Sequence, residues 1–199
     1  MPIREEESKL KKRIFTIIIF LVLGSSIIGF TFSAIPLGLQ QNNEIEYNGI
    51  EFFPTQHGLA TIIDEQVFEF TYYPDELSEI DLGNVISKIS SAKMFYATSH
   101  PNSSLASQIS GVEFDMARAL EINHNSFMEI AFTADNLYEK EVVTCKDATA
   151  FIPVLLFNFT NTTTSVTEQN NCIIINTESE RSLIKMKDKL IYELLGVQP

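Results

Sequence analysis

The residues of this 199-residue chain whose types could do chemistry are two cysteines, three histidines, two Ser-x-x-Lys spacings beyond the N-terminal 13 residues and one dense acidic group. Cys145 and Cys172 are the only cysteines. A nucleophilic thiol needs a neighbour that stabilises the thiolate or takes its proton, and no His, Asn or Asp stands where it would be assigned as that base. The competing reading is a disulfide, which the pair forms wherever the chain meets an oxidising compartment. It would close a loop of 27 residues in separation and contribute roughly 3–4 kcal/mol on the chain-entropy model.

His57, His100 and His124 are scattered over expected loops and element ends and do not cluster as metal ligands do, so no metal is expected. Ser182-Leu183-Ile184-Lys185 and Ser90-Ser91-Ala92-Lys93 place a serine and a lysine on one helical face. The Lys-Thr-Gly element that accompanies that spacing in serine acyl-enzymes is missing, and both read as surface residues. Asp75, Glu76, Glu79 and Asp81 form the densest acidic group, but they lack the spaced ligands and central glycine of a calcium loop. No Gly-x-Ser-x-Gly elbow, phosphate loop, Gly-rich dinucleotide turn or His-Glu-x-x-His pair occurs, so no cofactor is expected. Asn102-Ser103-Ser104, Asn158-Phe159-Thr160 and Asn161-Thr162-Thr163 are N-glycosylation sequons in expected polar turns. Asn102 also sits where the following helix needs an N-cap.

What gives these residues a context is the uncharged run Ile14–Ile35. As a helix it would measure roughly 33 Å, enough to cross a hydrocarbon core of about 30 Å. Arg4, Lys9, Lys11, Lys12 and Arg13 precede it, whereas the next basic residue after it is Lys88. That asymmetry predicts a cytoplasmic N-terminus and an extracytoplasmic remainder in the cell membrane. A cleaved secretory signal would have a shorter apolar region, although Thr31-Phe32-Ser33 is a poor cleavage site. A lipoprotein would need a cysteine at the end of the run, and a pilin leader would need a small residue between Arg13 and Ile14. The expected organisation is a tail over 1–13, a transmembrane helix over 14–35, a stalk over 36–48 and one extracytoplasmic domain over 49–199, a length suited to a single core.

The formal net charge is −12, and because the tail holds five basic and three acidic residues the outer part is near −14. Such a surface repels phosphate backbones, so a nucleic-acid partner is not expected. Its ordinary role is colloidal spacing at a membrane surface.

Within the domain, Leu59–Ile63 and Val67–Tyr73 alternate as a hairpin with an aromatic face. Short elements are expected at Ile80–Leu82 (strand) and Asn84–Ile89 (helix), followed by a strand at Met94–Thr98. Leu105, Ile109, Val112, Met116, Ala119 and Leu120 recur on one helical stripe. Strands are expected at Phe127–Phe132, Ala150–Phe159 and Cys172–Ile175, with Asn158–Ser165 as a polar loop. The last helix has Thr177 and Glu180 as a capping-box pair and Gly196 as its terminator. Its core stripe is Leu183, Met186, Leu190, Ile191, Leu194 and Leu195, with Lys187 at the margin. This order predicts an α/β or α+β sandwich whose mixed sheet is covered by helices, with Met94–Thr98 and Phe127–Phe132 paired in parallel through the long helix.

The order CKDAT at Cys145–Thr149, PVLLF at Pro153–Phe157, CIIIN at Cys172–Asn176 and DKLIYELLGV at Asp188–Val197 resembles a group of uncharacterised archaeal single-pass membrane proteins with an extracytoplasmic domain. The resemblance implies an envelope setting and a structural cysteine pair, and it brings no catalytic residues. The functional expectation is a membrane-anchored interaction or envelope-structural module whose partners are the bilayer, through residues 14–35, and another envelope or membrane protein. The alternative is a membrane-tethered enzyme acting on envelope polymers, which a pocket joining His100 or His124 to carboxylates would favour. A sensor would need a partner helix, for which Gly24, Ser25, Ser26 and Gly29 offer small residues in the span.

Overall fold

The computed structural model describes residues 45–197, residue 125 excepted. The expected tail, transmembrane helix and most of the stalk lie outside the described residues. Among the described residues, two sheets and three α-helices make a mixed fold of the α/β or α+β class. Strands β1 (Ile45–Tyr47), β2 (Ile50–Thr55), β3 (Gly58–Ile63) and β4 (Gln66–Phe70) form an antiparallel meander. Helix α1 (Val85–Ser91) leads to β5 (Met94–Ser99), helix α2 (Ala106–Asn123) and β6 (Phe127–Phe132). Strands β7 (Val154–Phe159), β8 (Ser165–Gln169) and β9 (Cys172–Thr177) precede helix α3 (Glu180–Leu194). The second sheet has the order β6-β5-β7-β9-β8, parallel except for β8.

The meander is set by two-residue turns. Tyr47 pairs with Ile50 across Asn48-Gly49, whose φ angles of 50° and 79° suit the left-handed turn that joins twisted strands. Ile63 pairs with Gln66 across Asp64 and Glu65, both also at positive φ. Ile45–Tyr47, within the segment expected as a stalk, is thus a strand of the meander. Ile80–Leu82 is not a strand: it runs as irregular chain into α1, with Leu82 buried. β7 begins at Val154, not at Ala150, because Thr149 and Ile152 close a turn in front of Pro153.

Alternation along the second sheet separates two environments. Phe95, Ala97, Met128, Leu155, Phe157, Ile173 and Ile175 face the main core with all three helices and the meander. Tyr96, Ala131, Val154, Leu156, Cys172 and Ile174 face the opposite way, against Val143, Cys145 and Ala148 of the connection between β6 and β7. The helices therefore cover one face only. On the other, that connection packs a small second core.

Helix α3 sits between the sheet and the meander, which is why it is buried around most of its circumference. The expected stripe is buried, and so are Asp188, Lys189 and Tyr192. Tyr192 stacks on Phe70 at 4.0 Å between ring centroids and meets Phe52 edge to face. Its hydroxyl donates to the Tyr72 carbonyl at 2.9 Å. The helix is capped by Ser179, whose hydroxyl accepts from the Ser182 N–H, and not by Thr177; Thr177 is still in β9. Gly196 ends it at φ 78°.

Candidate functional site

The connection between β6 and β7 is the part of the domain least explained by the main core. It continues β6 for one residue pair, since Phe132 bridges Val142 in parallel: the Phe132 N–H donates to Glu141 O at 3.0 Å and the Val143 N–H donates back to Phe132 O at 2.8 Å. Thr98, fully buried, donates through its hydroxyl to Val143 O at 3.0 Å and fixes the segment to β5. Asn136 then closes a local turn, its Oδ1 accepting from the N–H groups of Tyr138 and Lys140 and its Nδ2 donating to Lys140 O. Thr144 and Asp147 cap each other, and the N–H and hydroxyl of Thr144 lower the Asp147 pKa.

The cysteines complete this anchorage. Cys145 and Cys172 are disulfide-bonded with their Cα atoms 5.1 Å apart, joining the connection to the first residue of β9. Cys172 is fully buried and the thiols are consumed, so the structural reading of the pair is the one realised.

Pinned in this way, the connection turns apolar side chains outward. Leu137 is 99% exposed, Phe151 86% and Tyr138 69%, with Val142 also in solvent. Tyr138 stacks on Phe132 at 5.5 Å, which holds its ring against β6. Scattered exposed apolar residues are common on proteins. Here they are gathered on one segment whose backbone is fixed by a disulfide, a bridge and caps, which is how a rigid scaffold presents a binding surface.

A second feature lies at the start of β6. An open groove of about 700 Å³ is lined by Lys93, Leu120, Glu121, His124, Phe127 and Met128, among others. It joins His124 to a carboxylate, the combination that would favour catalysis. One ring nitrogen of the histidine also has a structural role. Its Nε2 lies 3.0 Å from Leu194 O, and because a carbonyl only accepts, that nitrogen carries the proton and holds the end of α3.

The remaining predicted residues are not assembled into a site. His100 accepts the Asn102 N–H on Nδ1 and shapes the turn after β5, and His57 is exposed beside Thr55. Glu76 accepts from the Tyr73 N–H and Asp81 from the Gly83 N–H, so two of the four acidic residues serve local turns, while Asp75 accepts from the Tyr47 hydroxyl of β1. Among the described residues no group of His, Cys, Asp and Glu could hold a metal. Ser182 is part of the α3 cap. Asn102 is exposed but does not cap α2; Ser103 does the nearer work, its hydroxyl accepting from the Leu105 N–H. Asn158 is on β7, not in a turn, and its Nδ2 donates to Asn176 Oδ1 at 2.8 Å. Asn161 is exposed just beyond the strand.

Two buried acids escaped sequence reasoning. Asp188, fully buried, accepts the N–H groups of Thr71 and Tyr72 at 2.8 and 2.9 Å and pairs with Lys187 at 3.0 Å. Burial still outweighs these partners and raises its pKa. Glu113, 3% exposed on α2, has an Oε1 with no hydrogen-bond partner, and burial alone raises its pKa to about 8. Both positions look like ordinary polar slots in an amphipathic helix, so no sequence signal marked them.

No family model matches the chain, and no curated protein or solved structure matches it either. The class is thus defined by fold and surface alone: an α/β domain with a disulfide-pinned apolar connection.

Proposed function

We propose that the chain is a membrane-anchored, extracytoplasmic interaction or envelope-structural module. The observation that carries this reading is the solvent-facing set Leu137, Tyr138 and Phe151 on a connection held by the Cys145–Cys172 disulfide. A disulfide suits an oxidising compartment, and the apolar run at 14–35 with its one-sided basic flank supplies anchor and orientation. The partner is another envelope or membrane protein, and glycans are expected first at the exposed Asn102 and Asn161. The alternative, a membrane-tethered enzyme, would rest on the groove at His124 and Glu121, where Nε2 of the histidine is already held by Leu194 O.

The test is photo-crosslinking from position 151 in native membranes with the captured proteins identified. A discrete captured protein, lost when Leu137 and Tyr138 are changed to serine, is expected. A chain that remains uncrosslinked in its own membrane contradicts the interaction reading. Protease added to intact cells should digest the domain, and protection of the domain would contradict the topology.

A further inference from the structure

Strand β6 is an edge strand, and its sequence FMEIAF is the most apolar of the sheet's two edges. Its residues alternate in backbone direction. The N–H groups of Phe127 and Thr133 point inward and donate to Lys93 O and Ser99 O. Those of the even-numbered residues point outward, as the Phe132 N–H does toward Glu141 O. The N–H and C=O groups of Met128 and Ile130 therefore face away from β5, and among the described residues nothing pairs with them. Such a row is a template for another strand.

The other edges are blunted. β8 is polar, SVTEQ, with Glu168 ion-paired to Lys88, β1 has only three residues, and the outward carbonyls of Val67 and Glu69 on β4 accept from Arg118 and Lys187. β6 is stopped only at its far end, by the Phe132–Val142 bridge. Beside its free half lies the groove floored by Leu120, Phe127 and Met128, on the side where a partner strand would direct alternate side chains. Phe127 is 60% exposed.

We propose that the outer edge of β6 binds an extended, basic segment of a partner protein by strand addition, with one large apolar side chain of that segment in the groove. The backbone groups at Met128 and Ile130 call for an extended main chain. The charge selects a basic one: Glu121, Glu129 and Glu141 lie beside the edge against Lys93 and Lys140. The same surplus opposes a second copy of this acidic chain. The inference rests on the interaction reading above and names the main-chain mode and chemistry of the partner.

The test uses the full chain in detergent and two labelled peptides, Lys-Val-Lys-Phe-Lys-Val-Lys and its counterpart with glutamate for lysine. The lysine peptide should bind at least about tenfold more tightly and slow hydrogen exchange at the Met128 and Ile130 amides. Ile130→Pro removes an outward N–H that makes no internal bond, a position where an edge strand tolerates proline. Compared with Ile130→Ala, which gives up the same half-buried packing but keeps the N–H, it should weaken binding about tenfold or more. Should that variant fail to fold, Glu121→Lys on the exposed rim should shift preference toward the glutamate peptide. Equal affinity for the two peptides, or binding that leaves both amides unprotected, overturns the proposal. So does protection of both amides in the free chain, which would mean that residues 1–44 or a second copy already occupy the edge. Crosslinking separates this failure from that of the broader reading: capture from position 151 but not from 127 leaves an interaction module without strand addition, whereas silence at both removes the two together.

Discussion

The two faces of the five-stranded sheet are stabilised by different physics. On the helical face, α3 is clamped between sheet and meander by a continuous aromatic and aliphatic core, and its polar groups are matched one by one to the chain leaving β4. On the other face the apolar cluster is small, and a covalent bond holds a segment whose largest side chains look outward. Where enough surface is buried, packing suffices. Where the segment must stay exposed, the disulfide replaces the missing core by limiting the freedom of the unfolded chain.

That contrast can be broken most severely at Asp188. Asp188→Ala leaves the Thr71 and Tyr72 N–H groups without their acceptor and takes from Lys187 one partner, leaving it Asp115 and the Glu69 carbonyl, and a loss of about 3–5 kcal/mol is expected by urea unfolding. A loss below about 1 kcal/mol would show that the helical face does not depend on this clamp. On the opposite face, Cys145→Ser with Cys172→Ser should cost roughly 3–4 kcal/mol. Hydrogen exchange should then speed up across 133–153 before it does in β3 and β4; uniform acceleration would mean that the faces are not independent.

Glu113 tests the helical face through pH. Its folded pKa of about 8 lies above the unfolded value of 4.5, so the folded state keeps a proton that the unfolded state has released between those values. Stability should be full below pH 4.5 as far as this group is concerned, and fall by up to about 1.4 kcal/mol per pH unit up to pH 8. Glu113→Gln should flatten that slope, and an identical slope in the variant would assign it to other groups. The smallest effect is expected at Tyr192→Phe, which removes one hydrogen bond to Tyr72 O and keeps the stacked ring. About 1 kcal/mol should be lost, or somewhat more because the carbonyl is left unpaired, with no change in exchange across 133–153.

The parts of the fold legible in the sequence were those with a local signature. The β5-α2-β6 unit announced itself through the stripe Leu105 to Leu120 between two apolar runs, and its parallel pairing followed from the helical crossover. The cysteine pair was legible because only two cysteines exist. The short or polar elements were not. β1 has three residues and β8 reads SVTEQ, so each is a strand only because β2 and β9 lie beside it. Asn158 looked like a turn residue within an Asn- and Thr-rich run, yet parallel pairing with β9 carries β7 through it. The exposed apolar residues of the connection were illegible too: Phe151 falls in the run Ala150–Phe159 that reads as a strand, and Leu137 belongs to no periodic pattern that would tell its exposure.

By itself, the sequence determined the elements whose hydrophobic period is long enough to specify one buried face, and the one cross-link its composition allows. Tertiary structure alone decided which polar residues lie inside and which apolar ones lie outside. Asp188 became buried because α3 is covered from both sides and the meander delivers two N–H groups to it. Phe151 became exposed because it sits in the turn that Thr149 and Ile152 close ahead of β7. Local pattern records the chemistry of a side chain, whereas burial depends on what the rest of the chain brings against it.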